Sequence, residues 1–287
     1  MAKENPLASN LTLEQQKNLF GNAYLNMLWH CPTDQRFPYW VHLPDCYYDE
    51  KDPHYKLLVI IHGTGCAVED YVRHAKELAD RDHVAVLAPL FPGGLIQRDD
   101  FNSYKLLSCD GVRYDQILLD MIDDMAKRYP GVETDKFFLF GHSGGGQFVN
   151  RFLFAHPEKL RACAIGAPGR PTFLNPDEDY FWGTRDFKNY FGHDVDLAAV
   201  QKVPVLVIVG ENDTKFIGDS PYGDNRVARM KSLQKNLQDH GVHTELTILP
   251  GFAHEGGEKE RVSIVLGVVF DAAAGGLSYQ KLLSCGA

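Results

Sequence analysis

The segment from Phe137 to Gly146 constrains the fold of this chain more strongly than any other. It consists of four apolar residues followed by the pattern Gly-x-Ser-x-Gly, which is centred on Ser143. An apolar run without polar alternation is typical of a strand that is buried on both faces. Apolar residues then recur at helical spacing as far as Pro157. The segment therefore predicts a strand, a sharp turn that projects the Ser143 hydroxyl, and a helix, which is the context of a nucleophile elbow.

The rest of the chain alternates between strand-like and helix-like patterns. Apolar or alternating runs predict further strands at residues 56–61, 83–89, 160–167, 203–209 and 243–249. Amphipathic patterns between them predict helices at residues 68–80, 111–129, 223–240 and 258–271. Strands that alternate with helices are typical of parallel sheets. The fold class that we predict is α/β, with a doubly wound, mostly parallel sheet.

We expect residues 1–287 to form one domain, because the length suits a single α/β unit and no linker-like segment interrupts the chain. Residues 1–30 are expected to hold an N-terminal arm and a helix, which opens with a capping box at Thr12 and extends to about Trp29. Residues 169–200 break the alternation and carry many aromatic residues among Pro, Asn, Asp and Gly. We expect this segment to form a cap insertion over the active site.

Charge and composition argue against several classes of protein. The net charge is −9 and no basic run occurs, which argues against nucleic-acid and acidic-membrane partners. No apolar run approaches the length of about 18 residues that a membrane span needs. The N-terminus lacks the apolar core of a signal peptide. We therefore expect a cytoplasmic protein, although the even number of six cysteines leaves a secreted, disulfide-bonded form as an alternative.

The sequence gives no sign of a metal site. The cysteines are scattered without a C-x-x-C pair, and no group of His and Cys residues has the spacing of metal ligands. We expect no metal and no organic cofactor. The expected partner is a small-molecule substrate, and the sequence leaves the oligomeric state open.

A serine hydroxyl becomes a good nucleophile when a base takes its proton, and the base needs an orienting acid. After the elbow, Asp213 follows the predicted strand at 203–209, and His254 follows the one at 243–249. Loops at the carboxyl ends of parallel strands open on one edge of the sheet, so these residues can converge. We predict Ser143 as nucleophile, His254 as base and Asp213 as acid. The sequence leaves open three other candidates for the acid: Glu211, Asp177 and Asp179.

The sequence His-Gly-Thr-Gly at residues 62–65 follows an earlier predicted strand. Folds with a nucleophile elbow take one oxyanion-hole donor from such a loop and the other from the residue after the nucleophile. We predict the backbone N–H groups of Thr64 and Gly144 as the donors, with Gly65 as a possible substitute for Thr64. Losing one such donor typically costs about 3 kcal/mol of transition-state stabilisation.

Together these motifs resemble the α/β-hydrolase superfamily, in its esterase and lipase branch. The matching elements are His62-Gly63-x-Gly65, Gly141-His142-Ser143-Gly144-Gly145, Gly210-x-x-Asp213 and Pro250-Gly251-x-x-His254. Residues 129–146 are similar to the group of poly(hydroxyalkanoate) depolymerases and feruloyl esterases. The resemblance covers roughly residues 39–270 and implies the α/β-hydrolase fold and a Ser-His-Asp triad. The chain departs from it at Thr64, where many esterases carry a run of glycines, and this leaves the choice of oxyanion donors open.

Three reactive side chains next to these motifs have structural interpretations. His142 precedes the nucleophile, but neighbouring side chains at such a turn point apart, so we expect it to be structural. We expect His62 to shape the oxyanion loop rather than to move protons. Cys66 lies near the same loop, and we expect a buried thiol rather than a second nucleophile.

The predicted substrate contacts come from three aromatic residues of the cap insertion: Tyr180, Phe181 and Trp182. The same residues could form the core of a small cap, and the two roles are compatible. A pocket that they line would favour an apolar or aromatic acyl or alcohol group.

The sequence thus predicts a carboxylesterase-like serine hydrolase. It would cleave an ester, thioester or lactone of a small apolar or aromatic molecule through an acyl-serine intermediate. The same triad would also serve a transacylase, a cyclase or a C–C bond hydrolase, because the fold does not decide among these reactions. A non-catalytic small-molecule receptor on a hydrolase scaffold is a further alternative.

Overall fold

The computed structural model describes residues 11–49 and 54–273. The strands of its main sheet are Asn26–His30 (β1), Pro38–His42 (β2), Tyr55–Ile61 (β3), Val84–Pro89 (β4), Val132–His142 (β7), Leu160–Gly166 (β8), Val205–Gly210 (β9) and Thr244–Leu249 (β10). A separate hairpin pairs Ser108–Cys109 (β5) with Val112–Arg113 (β6). The order of strands across the main sheet is β1-β2-β4-β3-β7-β8-β9-β10.

Strand direction divides the main sheet into two parts. β1 pairs antiparallel with β2, and β2 pairs antiparallel with β4. All other neighbouring strands pair in parallel. The six parallel strands therefore place their carboxyl ends at one edge of the sheet, where ligand sites of α/β folds lie. The fold class predicted from the sequence is confirmed.

Helices cover both faces of this sheet. In the described chain the α-helices span Leu13–Phe20 (α1), Val68–Asp82 (α2), Tyr114–Arg128 (α3), Gly144–Ala155 (α4), Phe187–Phe191 (α5), Leu197–Val200 (α6), Arg226–Asp239 (α7) and Glu258–Ala273 (α8). Short 3₁₀ helices span Gly21–Leu25, Ser103–Leu106 and Pro157–Lys159. The apolar sides of α3, α4 and α7 share one core with the sheet, and those of α2 and α8 share the other. Burial on both faces explains why the parallel strands read as continuous apolar runs.

The N-terminal helix is shorter than the sequence predicts. Its capping box forms, with the Thr12 hydroxyl accepting a hydrogen bond from the Gln15 amide at 3.2 Å. The helix nevertheless ends at Phe20 and does not extend to Trp29, because Gly21 adopts a φ of 54°. The following residues form a 3₁₀ turn and then β1, which pairs with β2. Pairing at the edge of the sheet overrides the local helical pattern, which is a weak determinant by itself.

The segment predicted to be a cap insertion, residues 169–200, lies between β8 and β9 and includes α5 and α6. The Tyr180 ring contacts those of Phe187 and Phe191, at centroid distances of 5.8 and 5.5 Å. Arg151 of α4 donates a hydrogen bond of 2.9 Å to the Arg170 carbonyl, which ties the start of the insertion to the helix that follows the elbow.

Residues 1–10, which belong to the expected N-terminal arm, and Cys285 lie outside the described residues. The other five cysteines are not joined by disulfides. In the described part of the chain, every helix is too short or too polar to cross a bilayer.

Candidate active site

The turn between β7 and α4 is strained at its centre. Ser143 adopts a φ of 57° and a ψ of −113°, which residues with a side chain rarely do. Its N–H donates to the Gly166 carbonyl at 2.8 Å. A Cβ atom at Gly141 would lie 2.5 Å from the Gly145 carbonyl, so glycine is required where strand and helix cross. The turn therefore has the geometry that the sequence predicts for an elbow.

The structure brings the three predicted triad residues together. His254 Nε2 lies 2.9 Å from Ser143 Oγ, and His254 Nδ1 lies 2.7 Å from Asp213 Oδ2. Because a carboxylate only accepts hydrogen bonds, Nδ1 carries the proton and Nε2 is free to accept one from the serine hydroxyl. Asp213 is only 1% exposed, and Arg226 Nη1 lies 3.4 Å from its second oxygen.

The three other candidates for the acid lie elsewhere. Glu211 accepts a hydrogen bond from the Gly251 amide at 2.9 Å. Asp179 pairs with Arg185, and Asp177 lies in the cap insertion, exposed to solvent. Of the four candidate carboxylates, Asp213 is the one that the structure places within hydrogen-bond distance of His254.

Two buried side chains hold the backbone of His254. His142 Nε2 donates to the His254 carbonyl at 3.0 Å, and Arg261 Nη2 lies 3.3 Å from the same oxygen. Burial lowers the pKa of His142 well below its usual value, so the ring is neutral. His142 therefore supports the backbone of His254, which agrees with the structural role that the sequence predicts for it.

The loop at residues 62–65 lies against the elbow. A Cβ atom at Gly144 would lie 3.0 Å from the Thr64 backbone nitrogen, so the N–H groups of these two residues are neighbours. Beneath the loop, His62 Nε2 accepts a hydrogen bond from the Phe91 amide at 3.0 Å. Burial lowers the pKa of His62 to about 4, which keeps the ring neutral and makes it a fixed support. Cys66 lies beside the loop with its thiol near the Thr64 and Phe91 carbonyls, at 3.7 and 3.6 Å.

Two cavities near the elbow are lined by side chains of opposite charge, and one of them contains Ser143. We call the first, of about 280 Å³, the acidic cavity; it contains Ser143 and His254 and is lined by three carboxylates, Asp70, Glu255 and Glu258. We call the second, of about 420 Å³, the basic cavity; it is lined by Lys105, Arg151, Arg170 and Arg226, together with Asn102, Gln147, Leu106, Gly169, Phe181 and Ile217. A third cavity of about 400 Å³ shares Arg226 with the basic cavity and His254 with the acidic one.

The three predicted aromatic contacts lie in different places. Phe181 lines the basic cavity. Tyr180 packs among other rings of the cap insertion, and its hydroxyl donates to the Leu106 carbonyl at 2.6 Å. Trp182 lies beside Tyr222 and beneath the Arg229 guanidinium. One of the three therefore faces a cavity near Ser143, and two take part in packing.

The sequence interpretation overlooked the cations of the basic cavity. Arg151 gave a usable signal, because it interrupts the apolar run of the helix after the elbow. Lys105, Arg170 and Arg226 lie in or next to segments that the sequence shows only as loops or helix ends. Their convergence depends on how three connections fold over the sheet edge.

As regards metals, the described residues hold no group of three His, Cys, Asp or Glu side chains that could bind an ion.

Comparison with known proteins agrees with this architecture. A sequence model of the dienelactone hydrolase family matches residues 44–284. No curated protein sequence matches the chain.

Solved structures provide more distant relatives. The fold is similar to poly(aspartic acid) hydrolase-1 from Sphingomonas sp. KT-1, with 20% identity, a TM-score of 0.69, and coverage of 85% of this chain and 97% of that one. It is also similar to a poly(3-hydroxybutyrate) depolymerase from Bordetella parapertussis, with 19% identity, a TM-score of 0.69, and coverage of 98% and 100%. An S-formylglutathione hydrolase from Agrobacterium tumefaciens has 15% identity, a TM-score of 0.57, and coverage of 88% and 95%. At these identities the likeness establishes a common fold.

Proposed function

Because this chain belongs to the dienelactone hydrolase family, a group of hydrolases that act on ester-type substrates, we propose that it cleaves a carboxylic ester, thioester or lactone through an acyl-serine intermediate. In this proposal Ser143 is the nucleophile, His254 the general base and Asp213 the acid that orients it. The observation that carries the proposal is the position of His254, whose two ring nitrogens lie 2.9 Å from Ser143 Oγ and 2.7 Å from Asp213 Oδ2.

Acylation follows from these contacts. Ser143 Oγ attacks the carbonyl carbon of the substrate while its proton passes to His254 Nε2. The buried Asp213 carboxylate stabilises the imidazolium that forms and holds the proton of Nδ1 in place. His254 then returns the proton to the leaving group, and the ester bond breaks. In the second half, His254 takes a proton from a water molecule that attacks the acyl-serine, and it gives this proton to Ser143 Oγ as the acid is released.

Negative charge develops on the carbonyl oxygen in both halves. The neighbouring backbone N–H groups of Thr64 and Gly144 are the proposed donors to this oxygen. Donors that are fixed before the reaction act without a cost of reorganisation. The supports for this geometry are the His62 ring beneath the loop and the strained elbow at Ser143.

The proposal is tested by intact-protein mass spectrometry after reaction with a fluorophosphonate. We expect one adduct, located on Ser143, together with turnover of p-nitrophenyl butyrate. The Ser143→Ala variant should form no adduct and lose about 10⁶-fold in kcat. A native protein that forms no adduct and cleaves no ester would contradict the proposal and favour a receptor. An adduct without hydrolysis of any ester would favour acyl transfer or C–C bond cleavage.

A further inference from the structure

The basic cavity contains more positive charge than its own residues neutralise. Lys105 is 6% exposed and Arg151 is fully buried. Among the described residues, neither side chain forms an ion pair with a carboxylate, and no carboxylate lines the cavity. Burying an uncompensated charge is unfavourable, so a protein retains such a pair only where something else supplies the opposite charge.

Arg151 is a fixed source of positive charge. Its guanidinium donates to the Lys105 carbonyl at 2.6 Å, to the Arg170 carbonyl at 2.9 Å and to the Thr172 hydroxyl at 3.0 Å. All three acceptors are neutral. Arg151 therefore fixes the two segments that carry Lys105 and Arg170, while its own charge remains uncompensated.

The remaining cations have donors to spare. The Lys105 ammonium donates one hydrogen bond, to Asn102 Oδ1 at 2.6 Å, and has two further N–H groups. The exposed Arg170 guanidinium lies over the Phe181 ring at 5.9 Å. Arg226 contacts Asp213, but its Nε is buried and has no hydrogen-bond partner among the described residues. Burial, with Arg151 nearby, lowers the pKa of Lys105 to about 8, as expected where positive charge is in excess.

The basic cavity begins next to the nucleophile. A Cβ atom at Gly144 would lie 2.8 Å from Lys105 Cε. Gln147, which also lines the cavity, donates its backbone N–H to the Ser143 carbonyl at 3.1 Å. Arg226 reaches the triad itself through Asp213. A substrate whose carbonyl lies at Ser143 can thus extend into this cavity.

We infer that the basic cavity binds a dianionic group of the substrate, either a phosphate or a pair of carboxylates, beside the Lys105 ammonium and the Arg170 guanidinium. This inference rests on the proposed function, because it names the class of ester that Ser143 cleaves. Two negative charges match Lys105 and Arg151, the two buried cations that lack a carboxylate, and the exposed Arg170 supplies further donors. A single carboxylate would leave one of them uncompensated. The cavity of about 420 Å³ accommodates a group of this size.

The test measures competitive inhibition of p-nitrophenyl butyrate hydrolysis at pH 7.5 by three small anions. At this pH glutarate is a dianion, inorganic phosphate is mostly the dianion, and butyrate is a monoanion. We expect Ki for at least one dianion to be at least tenfold lower than for butyrate, since a charge-assisted hydrogen bond contributes about tenfold to 100-fold in affinity. Comparing phosphate with glutarate shows which chemical form the cavity prefers.

Variants locate the binding. Lys105→Met and Arg170→Gln should each raise Ki for the preferred dianion at least tenfold. Arg170 is exposed, so its replacement removes a cavity charge without disturbing buried packing. The matched control is Lys188→Met, which removes an exposed lysine of α5 outside the cavity and should leave Ki within about twofold.

Calorimetric titration with phosphate and with glutarate makes the test independent of turnover. One outcome is that the native protein cleaves no ester but binds a dianion, and that Lys105→Met loses this binding. That outcome would contradict the proposed function and would still support the assignment of the basic cavity as an anion site. Ester turnover in which butyrate inhibits as well as both dianions would overturn the inference and leave the serine hydrolase standing. Dianion binding that neither Lys105→Met nor Arg170→Gln weakens would also overturn it.

Discussion

The acidic cavity contains Ser143 and the basic cavity lies near it, but the two hold their charges in different ways. The cations Lys105 and Arg151 are buried and fixed by hydrogen bonds to the backbone or to amide oxygens. On the other side, Asp70 and Glu255 are exposed to solvent, and Asp70 already pairs with Arg73 at 2.5 Å. Buried charges are screened far less than exposed ones. The comparison supports the proposal that the basic side binds an anionic group of the substrate, while the acidic side, which contains Ser143 and His254, receives the reacting carbonyl.

This difference also separates catalysis from recognition. The proposed reaction uses Ser143, His254, Asp213 and two backbone amides, whereas the proposed recognition uses the basic cavity. Arg226 is the link between them, because it lines the basic cavity and contacts Asp213. Changes to the triad should therefore remove turnover and spare anion binding, and changes to the cavity should alter the preference among ligands.

Among variants that keep the nucleophile, the largest effect is expected for Asp213→Asn. The amide would hold His254 in the wrong tautomer, and kcat should fall about 10⁴-fold. Calorimetry should show glutarate binding at least as tight as in the native protein, because Arg226 would lose its carboxylate partner. If glutarate binding weakened together with kcat, the triad would take part in anion binding, and catalysis and recognition would not use separate residues.

The next largest effect is expected for Gly144→Ala. Its new methyl group would lie within 3.0 Å of the Thr64 nitrogen and within 2.8 Å of Lys105 Cε, at the boundary between oxyanion loop and basic cavity. Displacing one oxyanion donor should lower kcat by about 10²- to 10³-fold. The measurement is single-turnover acylation by p-nitrophenyl butyrate, with circular dichroism as the control for folding. A variant that stayed folded and acylated at the native rate would argue against these donors.

A tenfold effect is expected from pH. The Lys105 ammonium is charged below its pKa of about 8, so glutarate inhibition should be strong at pH 7 and weaken as the pH rises through 8 to 9.5. Glutarate remains a dianion over this range, so the change reports the protein. In Lys105→Arg the charge persists, and Ki should stay constant over the same range. A native Ki that did not rise with pH would exclude Lys105 from the binding site.

The smallest effect is expected for Glu255→Gln in the acidic cavity. Removing an exposed negative charge should lower Ki for glutarate by about twofold at low salt. The gain should vanish at high salt, because the charge is exposed and screened. A salt-independent effect, or one as large as that of Lys105→Met, would show that the acidic side also takes part in binding.

Sequence alone predicted the parts of the site that depend on the sheet. Ser143, Asp213 and His254 follow strands whose apolar runs are easy to read, and parallel strands bring such loops to one edge. The structure brings these three residues together at the distances that a triad needs. Their catalytic roles, like those of Thr64 and Gly144, remain predictions until activity is measured.

The parts that sequence did not predict depend on long connections. The basic cavity takes Lys105 from the loop after β4 and Arg170 from the cap insertion, and these segments have no periodic pattern. The first strand was predicted as part of a helix for a related reason. The strand conformation of β1 depends on its pairing with β2, which the local sequence does not show. The sequence analysis counted Phe181 as an aromatic contact and overlooked the cations around it. Apart from Arg151, these cations leave no local signal in the sequence, because they meet only in the folded chain.

The central claim is that Ser143 carries the acyl group during turnover. The most direct test mixes the protein rapidly with p-nitrophenyl butyrate, quenches in acid within the first turnover, and maps the adduct by peptide mass spectrometry. The account predicts a butyryl group on the peptide that contains Ser143, lost on longer incubation as water completes the hydrolysis. A butyryl group on the Cys66 thiol, or p-nitrophenol release with no acylated peptide at any time, would contradict it.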